Sequence, residues 1–220
     1  MARISKNPGS TPSPRIRQKR KRARQEVLDT ARKILLTGGM DAVTLASVAA
    51  ELGLTKQALY HYFPSKEALL KTLIAGLLDD EIEAVIAAVQ KAGPDSNVLG
   101  VVIRAFYDHY IHALEAFRTI YCQSQLLPMS AIRLDEETLR EEINPATRRL
   151  FDLLEDRLTS EGMSRAERRR VRRLAYSAWL SALGMMTMLS VADSAQDPLI
   201  YKDKELLDTL TRVFDEAAQN

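Results

Sequence analysis

Between Thr55 and Tyr62 the chain reads Thr-Lys-Gln-Ala-Leu-Tyr-His-Tyr. Thr55, Lys56, Gln57, Tyr60 and His61 present a hydroxyl, an ammonium, an amide, a phenol and an imidazole on the exposed side of one short helix. Leu59 and Phe63, four residues apart, fall on its buried side. Such a set can read base edges in a major groove: an amide such as Gln57 suits adenine, and Lys56 suits a guanine or a phosphate. The elements that must hold this face are short. Thr44 can N-cap a helix bearing Leu45, Val48, Ala49 and Leu52, and Thr55 can cap the next. Between them Leu52-Gly53-Leu54 is a three-residue turn in which glycine permits a sharp change of direction, the geometry of a helix-turn-helix. Val48, Ala49, Leu54 and Leu59 are expected to form the small core between the helices, with Ala49 small enough to let them approach. The unit spans residues 27–63.

Charge is distributed to match. Residues 1–24 hold nine basic side chains and no acid, while residues 25–220 hold 22 basic and 29 acidic ones, a net of −7. A basic arm ahead of an acidic body suits contact with a polyanion, and Arg17, Arg20 and Arg22 are expected to meet phosphates or a minor groove. Residues 7–14, rich in proline, cannot be helical and read as a flexible leader.

The run from Thr44 to Leu70, with Thr before an apolar-Ala pair, Gly in the turn, Leu-Tyr-His-Tyr-Phe and Ser-Lys-Glu-Ala-Leu, resembles the signature of the TetR/AcrR family of transcriptional regulators. The likeness covers roughly residues 20–75 and is specific as motifs go. It implies a phosphate anchor at Thr44, base or backbone contacts from Lys56, Gln57, Ala58, Tyr60, His61 and Tyr62, and a phosphate clamp at Lys66. Ala46 departs from the pattern, since many relatives carry a polar or basic residue there.

The remaining chain also reads as helical. Val27, Ala31, Ile34 and Leu35 form a stripe that stops at Gly38-Gly39. A long helix carries Leu69, Leu70, Leu73, Ile74 and Leu77 and runs to Gly93-Pro94, and a further stretch covers 96–127. Asn144-Pro145 reads as an N-cap with a first-turn proline, and Ser164-x-x-Glu167 as a capping box. A last helix spans about 203–218, and 129–143 reads equally as helix or loop. The expected fold class is all-α: a leader over 1–14, an arm and helix-turn-helix over 15–64, and a helical effector-binding and dimerisation domain over 65–220.

Within that body the helix around 174–191 is apolar nearly all round and therefore buried on more than one side. With the last helix it is expected to form the seam of a homodimer, the arrangement the family resemblance implies, so that two half-sites of double-stranded DNA are read together. Phe106, Tyr107, Tyr110, Phe117, Tyr121, Gln125 and Trp179 are candidates for a small-molecule effector pocket, apolar walls with a few polar groups. The six arginines of 165–173 oppose the helix dipole, and bridges to Glu136, Glu137, Glu141 and Glu142 are the expected use.

Other chemistry finds little support. His109 and His112 lie three apart, but one cysteine and no matching downstream pair leave no metal set, so neither metal nor cofactor is expected. No Ser-His-Asp order, glycine-rich phosphate loop or paired carboxylate motif points to an enzyme. Cys122 alone cannot form an intrachain disulfide and fits a reducing cytoplasm. No run reaches the roughly 18 uninterrupted apolar residues of a membrane span.

Overall fold

The structure, a computed structural model, describes residues 13–94, 96–123, 136–195 and 202–219. Among these residues there is no strand.

Helix α1 (Pro14–Ala42) begins at Ser13, whose hydroxyl accepts from the Ile16 amide, with Pro14 in the first turn where a missing N–H costs nothing. The basic segment is therefore the opening turns of α1 itself. The stop expected at Gly38-Gly39 is a kink: Gly39 takes φ +72°, and the chain then re-enters helix as far as Ala42. Helices α2 (Leu45–Glu51) and α3 (Lys56–Tyr60) follow, then α4 (Lys66–Lys91), capped by Ser65 through the Ala68 amide.

Helix α4 belongs to two packing groups at once. Its first half buries Leu69, Leu70, Leu73 and Ile74; its second buries Ile82, Val85, Ile86 and Val89 in the body. One continuous apolar core runs through both. The carbonyls at its C-terminal end would be orphaned, and Arg157 answers them, donating to Val89, Ala92 and Gly93 at 3.1, 3.0 and 2.9 Å.

The body is built around α5 (Val98–Tyr110), buried on most of its circumference. The stretch expected over 96–127 is not one helix. It breaks at Ile111–Ala113, where the Ala113 amide closes on the Tyr110 carbonyl, and resumes as α6 (Leu114–Phe117) with a π-helical continuation, Arg118–Gln123. No Gly or Pro marks that break. A short helix α7 (Glu136–Thr138) and a π-helical segment (Leu139–Ile143) lead into α8 (Asn144–Leu158). Because the chain enters α8 already coiled, Ile143 takes the capping position and makes no side-chain cap, so Asn144 is not the N-cap that the sequence suggests.

Helices α9 (Arg165–Ala195) and α10 (Asp203–Gln219) complete the fold, both packing on α5. The capping box at Ser164 and Glu167 is present in both directions. Helix α9 is the one described helix long and apolar enough to cross a membrane, but its Ala175, Ala178, Ala182 and Met186 are buried in the core of this fold. The arginine run finds other partners than expected. Among the described side chains its ion pairs are those of Arg172 with Asp152 and Glu155 on α8, and Arg170 donates to the Ala217 carbonyl. Glu141 pairs instead with Arg140.

Candidate nucleic-acid interface

Helix α2 ends in a glycine cap that fixes the direction of α3. Gly53 takes φ +65°; its amide bonds to the Ala50 carbonyl at 3.2 Å, and the Leu54 amide bonds to Ala49 at 2.8 Å. This is a Schellman arrangement, which needs a residue tolerant of the left-handed region. It also corrects one expectation: Leu54 is 43% exposed and is not part of the small core. Once its amide closes the motif, its side chain is left on the outside of the turn. Val48, Ala49 and Leu59 are buried as expected.

At the start of α2 the Thr44 hydroxyl accepts from the Ser47 amide, and the Ser47 hydroxyl accepts from the Thr44 amide, both at 2.9 Å. Ser47 also donates to the Ala42 carbonyl at 2.7 Å, tying α2 to the end of α1. Thr55 caps α3 through the Ala58 amide at 3.2 Å.

The outer side of α3 carries the polar side chains. Thr55, Lys56, Gln57, Tyr60 and His61 are exposed, Ala58 and Tyr62 half-buried, Leu59 and Phe63 buried. The Lys56 ammonium lies 5.8 Å from the centre of the Tyr60 ring, so the two side chains cover each other. Lys66, in the first turn of α4, is exposed on the same unit.

The basic turns of α1 are fastened to the far end of α3. Arg20 donates to the His61 carbonyl at 3.2 Å; Arg24 stacks 4.7 Å over Phe63 and reaches the Thr72 hydroxyl at 3.2 Å. Arg20 thus has a structural partner besides any role toward an anion. Arg24 lacked a sequence signal beyond its place in the basic run. Arg17 and Arg22 remain exposed.

This arrangement coincides with residues 27–73, which match the family model of bacterial regulatory proteins, tetR family. The N-terminal domain is of the TetR family. The chain is also 31% identical over 106 residues to the transcriptional regulator AlkX of Mycobacterium tuberculosis, covering 48% of this chain and 44% of that one. The chain thus spans less than half the length of that relative. Two solved structures share the fold over nearly their whole length. One is a TetR/AcrR-family regulator from Thermobifida fusca (TM-score 0.63, 18% identity, 88% of this chain and 96% of that one). The other is the transcriptional regulator FadR from Bacillus subtilis in complex with stearoyl-CoA (TM-score 0.57, 17% identity, 86% and 96%). The helical body therefore follows the TetR domain here as it does there.

In that body the candidate effector residues come together, but as packed rings. Phe106, Tyr110, Phe117 and Tyr121 sit with centroids 5.2 to 6.4 Å apart. At their centre is a group that went unnoticed in the sequence, the carboxyl of Glu81 on α4, only 3% exposed. It accepts from Tyr110 at 2.5 Å and from Tyr121 at 2.7 Å. Burial pushes its pKa up, and the hydrogen bonds from Tyr110 and Tyr121 partly oppose that shift. Tyr107 lies outside this group: its hydroxyl goes to Asp203 at the start of α10, and burial with that carboxylate pushes its pKa up to about 12. Gln125 lies outside the described residues.

The adjacent Asp80 faces the other domain and pairs with Arg32 of α1. His109 lies by this pair and edge-on to Tyr110; burial, then the Arg32 charge, holds its pKa below the usual value.

Proposed function

We propose that this protein is a sequence-specific DNA-binding transcriptional regulator of the cytoplasm, working as a homodimer and released as a repressor from a palindromic operator by a small ligand. The observation that carries the proposal is the exposed polar side of α3, aimed by the Gly53 cap and flanked by the basic turns of α1. Gln57 and Lys56 are the base-reading residues; Thr44, Thr55, Ala58, Tyr60, His61, Tyr62 and Lys66 complete the contact, with Arg17, Arg20 and Arg22 on the backbone.

Dimerisation is supported by apolar side chains that the monomer leaves in water. Leu180, Met188 and Val191 on α9 and Val213 on α10 are 45 to 64% exposed. Joining such faces between two copies removes them from solvent and gives a four-helix seam. An effector in the body is supported by the stearoyl-CoA held by the FadR of similar fold.

A second reading, a regulator or assembly factor without an effector, is favoured by one observation: Phe106, Tyr110 and Phe117 are filled in by one another and by Glu81.

Selection of bound DNA from a random pool is the decisive test. The expected result is a palindrome whose half-sites lie about one helical turn, roughly 34–36 Å, apart. Gln57→Ala should lower affinity about tenfold and relax preference at one position of each half-site. Failure to enrich any palindrome overturns the proposal. Screening compounds for release of the enriched DNA then separates the two readings.

A further inference from the structure

The arginine run of α9 is not absorbed by the proposed regulator function, and it lines an open groove of about 590 Å³ against α8. Arg148 of α8 and Arg169, Arg172 and Arg173 of α9 surround it, with Phe151 and Tyr176 supplying apolar surface. No acidic residue lines it. Arg172 is neutralised by Asp152 and Glu155, but Arg148, Arg169 and Arg173 form no ion pair among the described residues. Three guanidinium groups thus share one concavity with no ion-pair partner among the described residues. An unpartnered cluster of this kind gains stability from a ligand with several negative charges, and guanidinium forks match phosphate oxygens bidentately.

The apolar part of the groove narrows the class further. The Phe151 and Tyr176 rings lie 5.9 Å apart with a 40° tilt, an apolar shelf on which a flat ring can rest. The volume is in the range of small-molecule sites, roughly 300–1,000 Å³.

We infer that the α8–α9 groove binds a small phosphorylated ligand carrying a planar ring, of the nucleoside phosphate class, with Arg148, Arg169 and Arg173 on the phosphates and Phe151 and Tyr176 under the ring. The site does not depend on the chain being a regulator. It has a built-in reporter, because Tyr176 lies 5.7 Å from Trp179, the single tryptophan of the chain. Trp179 in turn packs against the apolar core.

ADP titrated into the full-length protein without DNA should change Trp179 emission saturably, and calorimetry should return the same affinity. Adenosine, which lacks the charge, and inorganic phosphate, which lacks the ring, should each bind at least about tenfold more weakly. Arg169→Gln and Arg173→Gln should each weaken ADP about tenfold while circular dichroism stays unchanged, and Phe151→Ala should weaken ADP but not phosphate. Absence of calorimetric binding at millimolar ADP overturns the inference, as does ADP binding indifferent to both arginine variants. Arginine variants that lower affinity for DNA and not for ADP assign the groove to nucleic acid. A Tyr176→Ala variant that turns monomeric, in a protein that does not bind ADP, assigns it to a second copy; either result overturns the inference. Loss of ADP binding with operator binding intact refutes the groove alone, whereas failure to enrich an operator refutes only the regulator.

Discussion

The Arg24 guanidinium rests 4.7 Å over the ring of Phe63, so the basic start of α1 is braced against the residue that ends the helix-turn-helix. Arg24 also holds Thr72 of α4, which makes one side chain a tie among three elements. Arg24→Met keeps the apolar stem but removes the stacked charge and the hydrogen bond to Thr72. The expected cost is about 1 kcal/mol of stability, read by thermal or urea denaturation. A loss in DNA affinity larger than one removed phosphate contact would show that the brace orients Arg17, Arg20 and Arg22.

Exposed cations and reading groups should separate by salt dependence. Lys66→Ala and Arg17→Ala should weaken binding to every DNA sequence alike and lower the slope of log affinity against log salt by about 1 each. Gln57→Ala should leave that slope unchanged while altering base preference. Fluorescence anisotropy at several salt concentrations distinguishes the two behaviours.

Glu81 sets a stability contribution whose sign follows from its raised pKa. The folded state holds the Glu81 proton more tightly than the unfolded chain, so this stabilisation is fully present below the ordinary carboxylate value. It is lost as pH rises through the folded pKa. Glu81→Gln, neutral at every pH, removes the dependence. The variant should therefore gain on the parent between pH 5 and pH 8, by at most about 1.4 kcal/mol for each unit separating the two pKa values. Paired thermal melts across that range check it, and parallel curves would show that Glu81 titrates as it does unfolded.

Close packing of α5 on α10 rests on Gly100. A Cβ there would lie 2.5 Å from the Thr211 methyl and 2.6 Å from the Asn97 side-chain nitrogen, and Asn97 caps α5 through the Gly100 amide at 3.0 Å. Gly100→Ala should cost about 1–3 kcal/mol by overpacking. Thr211→Ser, which removes the methyl, should restore part of it. Denaturation of the single and double variants measures the coupling.

Local signals were readable where the physics is local. Thr44, Thr55 and the Ser164–Glu167 pair cap the helices their sequence positions announce, since a cap is made within four residues. Leu54 was misplaced because hydropathy records that a residue is apolar, not that its amide closes a turn and leaves its side chain outside. The break at Ile111–Ala113 carries no punctuation. Glu81 stands among Asp79, Asp80 and Glu83, so composition alone does not mark it as buried. Its spacing of four from Leu77 and Val85, both buried, is the signal that places it inward. The partners of Arg172 depend on how α8 packs beside α9, which is not a property of either segment alone.

Helix α4 is 26 residues long, about 39 Å at 1.5 Å per residue, and it carries Lys66 at one end and the Arg157 clamp at the other. Its length gives it the proportions of a lever arm. If the body end stays fixed, a tilt of about 5° carries the Lys66 end sideways by about 3 Å, close to the roughly 3.4 Å spacing of successive base pairs along one strand. A change too small to disturb the packing around Glu81 is thus large enough, at the other end, to carry the helix-turn-helix out of register with its site.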